Sequence, residues 1–297
     1  MSVKKLPLFL WFLFLLTPTG CSMGEHVELS GDLIYTGRGK DIGLIDLDSM
    51  EYQVIYEGMH HGTTITRLTK VTADKFIFEE CPVTEACVLK EFDMSSRTSK
   101  TLRTGRMPTY VAESNKVFFY DSSKDDKKEW LFVSDWGAMD TARKVAKAPA
   151  PKVLPNGLRY PLMTPAIQIS ADAVALVGED EQLWVYHISE SKLEPTGIKH
   201  SFPKVWRSQT QQLICYDWEL KEYYQIDLKT RRSDKLPQLK GTFGHTYIPK
   251  HDALVFGEAS LHFLISERYD IYAYSFEKRK RVKLRSHASI SSGFWLE

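Results

Sequence analysis

Neither sign of charge predominates in this sequence: 39 Lys and Arg stand against 38 Asp and Glu over 297 residues, a net of +1. That balance excludes the broad basic field of a general nucleic-acid or polyanion binder. Helical patterning is missing as well. No apolar stripe of 3.6-residue period outlasts two turns, so a solenoid of stacked helices is excluded. No Ser-His-Asp order, P-loop or G-x-S-x-G motif is present. Because triad groups meet in space rather than in sequence, that last absence does not by itself exclude an enzyme. Cysteine is scarce, four in all. Long hydrophobic runs are scarcer: residues 6–16 form the only one, and 11 residues are too few to span a bilayer comfortably.

That run suits the apolar region of an export signal. Lys4 and Lys5 precede it, and it contains Phe9, Trp11, Phe12 and Phe14. It leads into Leu16-Thr17-Pro18-Thr19-Gly20-Cys21, which resembles a bacterial lipobox: a small residue stands just before a cysteine. The usual Leu three places before the Cys is here Pro18, with Leu16 two places further back. The resemblance implies that Cys21 is lipidated and becomes the mature N-terminus, anchoring the body to a membrane. Ser22, rather than Asp, follows it, which implies an outer-membrane lipoprotein; the expected orientation is toward the periplasm. An ordinary signal peptide cut nearby would instead leave Cys21 as a thiol. The expected organisation is a signal peptide over residues 1–20, a tether over 21–30 and one domain over 31–297.

The other cysteines agree with an oxidising compartment. Cys81 and Cys87 bracket Pro-Val-Thr-Glu-Ala between two apolar runs. Pairing of those runs as a hairpin brings the two sulfurs within disulfide reach. A metal site is the alternative, but C-x5-C lacks a second ligand pair. Cys215, inside the apolar run of residues 213–216, reads as a buried free thiol.

What the sequence has in quantity is one repeated hairpin. EYYQIDLKTRRSDKL at residues 222–236 alternates apolar Tyr224, Ile226 and Leu228, turns through polar residues and resumes. Versions recur as LIDLDSMEYQVI (44–55), EFDMSSRTSKTL (91–102), VYHISESKLEPT (185–196) and AYSFEKRKRVKL (273–284). Period-2 alternation puts one face of each strand on a core. The copies centre on Asp46, Asp93, Ser134, His187, Asp227 and Ser275, about 46 residues apart on average, the length of a four-stranded propeller blade. The first unit lacks an opening strand, while residues 289–296 form a closing strand without a blade. The two deficits match, and a six-bladed all-β propeller closed by its C-terminal strand follows. Five prolines between residues 148 and 165 make that stretch an extended loop between blades 3 and 4.

In repeat period and hairpin pattern the body resembles bacterial six-bladed β-propeller lipoproteins of the TolB or YVTN-like type. It lacks the Gly-His and Trp-Asp pairs of WD40 blades, kelch double glycines and a complete sialidase-type Asp-box. Loops leading from one blade to the next open at one face of such a ring, where ligands collect. His60, His61, Arg106, His200, His245 and His287 fall there, including five of the nine histidines. If they converge, they offer ligands to a divalent metal or donors to an acidic saccharide; the bland alternative is that polar residues simply populate exposed loops. The aromatic stripes Trp184–Tyr186 and Tyr272–Tyr274–Phe276 read as packing between blades. The leading expectation is a non-enzymatic envelope binding or scaffold module for a protein or saccharide component, with no cofactor and no nucleic acid. Its alternative is a metal-assisted lyase or hydrolase of acidic saccharides.

Overall fold

The computed structural model of the protein describes residues 29–37, 39–58, 62–122, 128–153, 159–160, 163–260, 268–286, 288 and 290–297. Cys21, His60, His61 and His287 lie outside the described residues.

Six four-stranded antiparallel sheets follow one another along the chain. The first holds β1 (Asp32–Thr36), β2 (Asp41–Asp46) and β3 (Tyr52–Glu57). The second holds β4 (Thr64–Lys70), β5 (Lys75–Cys81), β6 (Val88–Asp93) and β7 (Thr98–Thr104). Blade 3 is β8 (Arg106–Val111), β9 (Lys116–Ser122), β10 (Glu129–Asp135) and β11 (Arg143–Lys147). In the proline-rich connection a two-residue ladder, β12 (Lys152–Val153) with β13 (Arg159–Tyr160), interrupts what the sequence suggested was wholly irregular. Blade 4 is β14 (Ile167–Ser170), β15 (Ala173–Val177), β16 (Gln182–His187) and β17 (Lys192–Lys199). Blade 5 is β18 (Ser201–Arg207), β19 (Gln212–Asp217), β20 (Glu222–Asp227) and β21 (Ser233–Lys235). Blade 6 is β22 (Thr242–Ile248), β23 (Ala253–Ser260), β24 (Arg268–Ser275) and β25 (Lys280–Arg285). The last strand, β26 (Ser292–Leu296), pairs antiparallel with β1, Asp32 opposite Leu296 and Thr36 opposite Ser292.

β26 thus supplies the strand that blade 1 lacks, and the ring closes as the repeat implied. β26, β4, β8, β14, β18 and β22 touch in that order, and β22 returns to β26. These six strands line the axis. The closure is pinned by side chains and backbone together. Ser291 donates its N–H to the Thr36 carbonyl at 2.7 Å, and Ser292 Oγ accepts the Leu68 N–H of blade 2 at 3.1 Å.

The second strand of each blade is buried on both faces, because a neighbouring blade covers each side. Phe76-Ile77-Phe78, Val117-Phe118-Phe119-Tyr120 and Ala173 to Val177 are therefore continuous apolar runs rather than alternating ones. Third strands are less enclosed: β6, β16 and β20 each bury two residues three apart, Leu89 and Phe92, Leu183 and Tyr186, Tyr223 and Ile226. Each of the six blade interfaces has its own apolar cluster. Tyr186 and Trp184 belong to the one between blades 3 and 4, and Tyr272, Tyr274 and Phe276 to the one between blades 5 and 6. The aromatic stripes are inter-blade packing, as read from the sequence.

The repeated hairpin joins the third and fourth strands. Asp46 Oδ1 accepts the N–H groups of Asp48 and Ser49, Asp93 Oδ1 those of Ser95 and Ser96, and Asp227 Oδ1 those of Lys229 and Thr230, all within 3.1 Å. Four residues after each Asp, Met50, Arg97 and Arg231 take left-handed backbone near φ +60°. The carboxylate satisfies turn donors that have no ladder partner. At the opposite end of blade 2, Cys81 and Cys87 are joined as a disulfide between β5 and β6, and Cys215 is a buried free thiol.

Candidate functional site

Antiparallel connection fixes two faces of the ring. The face where each blade hands over to the next innermost strand also carries the loops between second and third strands; we call it the loop face. The hairpin turns lie on the other, the hairpin face. Two cavities run along the axis. One of about 640 Å³ opens between the loop-face ends of the inner strands and includes Arg67, Lys204, Tyr216, Lys221, Tyr223, Lys240 and His245 in its wall. The other, of about 810 Å³, lies toward their hairpin-face ends. Lys204 and His245 belong to both, so they mark the midpoint of one channel.

How these side chains reach the axis is a matter of backbone register. Five of the six inner strands carry a β-bulge against their second strand. In β4 the pairing skips from Ile65 to Leu68, in β18 from Pro203 to Val205, and in β22 from Phe243 to Thr246. A bulge leaves a residue out of the ladder and re-aims its side chain. Arg67, Lys204 and His245 all lie within these skipped segments. Gly244, at φ +62°, permits the bulge in β22. A Cβ there would sit 1.9 Å from the Ile290 carbonyl oxygen, so only glycine lets the approach to β26 pass so close.

The electrostatics of the midpoint are one-sided. Among the described residues, the wall of the loop-face cavity holds Arg67, Lys204, Lys221 and Lys240 and no Asp or Glu. Lys204 is half-buried, in the wall of both cavities. Burial, with Arg67 adding repulsion, pulls its ammonium down to about 8. Its Nζ lies 5.9 Å from the centre of the Tyr216 ring. Tyr216 and Tyr223 rings are 4.9 Å apart, and the His245 ring is 4.9 Å from Tyr223.

His245 itself is held neutral. Burial first, then the charges of Lys204 and Arg67, push its pKa down to about 3. Thr242 Oγ1 donates to the Leu239 carbonyl at 2.6 Å and lies 2.8 Å from His245 Nε2. With its proton committed to Leu239, Thr242 accepts from His245, which assigns the imidazole proton to Nε2 and leaves Nδ1 an acceptor. Tyr223 Oη donates to the Thr242 carbonyl at 2.8 Å, tying this corner to blade 5. Beside His245, Thr246 Oγ1 is buried without a hydrogen-bond partner.

Of the six residues expected at the mouth, three are described and one lines the channel. His245 does so from inside β22 rather than from a loop before it, because that strand begins at Thr242. Arg106 Nε donates to Glu79 Oε1 at 3.2 Å, while Glu79 Oε2 accepts the Met107 N–H at 3.0 Å. Glu79 is 1% exposed, so Arg106 neutralises a carboxylate buried between blades 2 and 3. His200 Nδ1 lies 3.3 Å from Glu181 and 3.5 Å from Glu219, across the loops of blades 4 and 5. Neither Arg106 nor His200 lines the channel cavities. Glu79, Cys81 and Cys87 are the one group of metal-ligating residues gathered among the described residues, and its two cysteines are oxidised to each other. Arg67 and Lys204, the cations at the centre, were not singled out from the sequence.

No protein-family model matches the chain, and no curated protein matches it. Solved structures do. TolB from Acinetobacter baumannii superposes with TM-score 0.67 at 12% identity, over 89% of this chain and 66% of that one. A chain of a nidogen/laminin complex gives TM-score 0.63 at 11% identity, over 89% and 98%. A Bacteroides thetaiotaomicron protein of unknown function gives 0.51 at 6% identity, over 86% and 70%. The chain spans just under two thirds of the TolB chain. At these identities the likeness is one of fold: a six-bladed propeller.

Proposed function

We propose that this protein is a binding module of the bacterial cell envelope whose recognition site is the cationic channel mouth on the loop face, taking acidic groups of a protein or envelope component. The observation that supports this most is the pairing of Arg67 with Lys204 at the channel midpoint, in a wall without a carboxylate. Burial and the neighbouring Arg67 charge both disfavour the Lys204 ammonium, and an anion beside it would favour the charged form. A metal-assisted reaction at His245 is the less favoured reading, because a divalent cation there would sit against Lys204 and Arg67. The lipobox-like segment ending at Cys21 supports the envelope address, with a lipid anchoring the propeller to the outer membrane.

Thermal unfolding with added inorganic phosphate or succinate, at ionic strength matched with chloride, tests the binding reading. A ligand that binds only the folded state raises Tm by mass action. The wild-type protein should gain stability with either anion, and the Arg67→Gln/Lys204→Met double variant should not. Equal Tm with and without both anions in the wild type would overturn the reading. Fractionation of the Cys21→Ser variant tests the anchor: release from membranes is expected, and continued retention would defeat it.

A further inference from the structure

The hairpin face carries its charge unevenly. In blades 5 and 6 the turns on that face hold six Lys and Arg, all exposed: Lys229, Arg231, Arg232, Lys250, Lys278 and Arg279. Two acids stand among them, Glu277 and the buried Asp252, whose charge Arg207 of β18 already meets at 2.8 Å. The turns of blades 1 to 4 on the same face hold one cation, Arg97, against seven Asp and Glu. Lys250 lies 3.8 Å from Glu297, and Arg232 lies 3.9 Å from Asp234. Such long, hydrated surface pairs do not cancel the positive potential of the sector.

The chain enters the ring beside the same sector. Ser30 donates its N–H to His251 Nε2 at 3.1 Å, and its carbonyl accepts from Trp295 Nε1 at 2.8 Å, beside the hairpin-face ends of β22 and β26. Ser30 stands nine residues beyond Cys21, a reach of about 30 Å at full extension. With the loop face on the membrane, that tether would first have to pass β2 and β3, about 5 Å apiece, and then descend a blade about 20 Å deep. The path consumes the whole reach. With the hairpin face on the membrane, none of it is needed.

We infer that the hairpin face of blades 5 and 6 docks on an anionic lipid bilayer, so that the loop-face channel mouth points away from the membrane. This rests on the envelope reading above and gives the opposite face of the ring its own partner. The anchor supplies attachment, and the cations supply orientation. Lys and Arg side chains are drawn to an anionic surface within about a Debye length, roughly 8 Å at physiological salt. The turns of blades 1 to 4, mostly acidic, are repelled by it, so the ring tilts onto one sector.

Flotation of the full chain with vesicles tests the inference, using phosphatidylcholine alone and phosphatidylcholine mixed equally with phosphatidylglycerol. Partitioning should favour the mixed vesicles, and the excess should fade as salt is raised. At about fivefold in affinity per cation, Arg231→Gln/Arg232→Gln/Arg279→Gln should cut that excess by about a hundredfold. The three arginines are exposed turn residues, so the variant folds; an unchanged Tm would verify that. Lys40→Gln/Lys100→Gln/Lys199→Gln removes as much charge from the loop face and outer rim and should leave the excess intact. Equal loss in the two triple variants would reduce the effect to net charge and overturn the docking sector. Equal partitioning of the wild type to both vesicles would overturn bilayer docking, leave the sector to an acidic protein surface and let the anchor stand. Wild-type protein free of membranes on cell fractionation would sink the envelope reading itself, whatever the vesicles show.

Discussion

The outer hairpins and the inner strands of the same blades solve opposite problems. In the hairpins of blades 1, 2 and 5, one Asp accepts two turn N–H groups and the fourth residue onward is left-handed. Identical backbone demands were met with the same residue type. The inner strands share a backbone irregularity too, a bulge in five of six, yet the residues it turns out of register differ: Arg67, Ile169, Lys204, His245. A repeated bulge with a variable residue gives the ring a set of addressable positions around its axis. The hairpins specify the fold; the bulges specify what the channel is made of.

Disturbing an inner strand should therefore cost most where its bulge meets the ring closure. Gly244→Ala places a methyl group against the Ile290 carbonyl and forces a left-handed residue with a side chain. Neither the backbone of β22 nor the segment entering β26 can yield without opening the ring. A loss of about 4 kcal/mol is expected, read as a fall in denaturation midpoint. A variant within about 0.5 kcal/mol of wild type would show that closure tolerates slack at this bulge.

Arg106→Ala comes next, and it tests the start of another bulged strand. It removes the partner of Glu79, which is buried at 1% exposure. Leaving a buried carboxylate uncompensated should cost about 3 kcal/mol at pH 7. Glu79→Gln added to Arg106→Ala should restore part of that loss, because a neutral amide needs no counter-charge. Failure of the second change to recover stability would mean that Arg106 acts through packing alone.

The contrast also explains what could be read from the sequence. Hairpin alternation and the missing first strand were legible, because period-2 patterning survives in third and fourth strands and the strand count must close. Cys81–Cys87 was legible because two runs of strand character fix the ends of the loop between them. The channel site was not. Alternation breaks at a bulge, so β4, β18 and β22 carry no clean period-2 signal where their pairing skips. Nothing in the strand pattern then sets Lys204 and Arg67 apart from other strand cations. The available signal was local: Pro203 and Gly244 interrupt strand character immediately before Lys204 and His245. Arg106 and His200 did fall where the blades hand over, but carboxylates nearby hold them in place. Which loop residues meet is decided by Glu79, Glu181 and Glu219, and charge pairing across blades leaves no periodic trace.

A smaller effect is expected in the hairpin class. Asp227→Ala removes the acceptor for the Lys229 and Thr230 N–H groups at an exposed turn. Water can take over both donors, so the cost should be small, and Asp46→Ala and Asp93→Ala should match it. The backbone N–H groups hold the Asp227 carboxyl below its usual range. This contribution is present above the ordinary pKa of 3.8 and fades as pH falls through the lower folded value. Three unequal losses would break the equivalence of the hairpins.

Lys204→Met should reverse sign relative to the others at neutral pH. Lys204 faces Arg67, Cys215 and the rings of Tyr216 and His245, with no carboxylate among the described groups around it. Its folded pKa, about 8, lies below the ordinary 10.5, so the unfolded chain binds more protons between those values. Stability conferred by this position therefore rises with pH through that window and is lowest below pH 8. Compared with Lys204→Met, the wild-type protein should be no more stable at pH 7 and should gain steadily from pH 8 to 9.5. Taking the difference between the two proteins removes the tyrosines that titrate near the upper end. A flat difference over that range would mean that Lys204 keeps an ordinary, well-hydrated ammonium. The inner bulge would then be no more than a fold device, like the hairpin Asp.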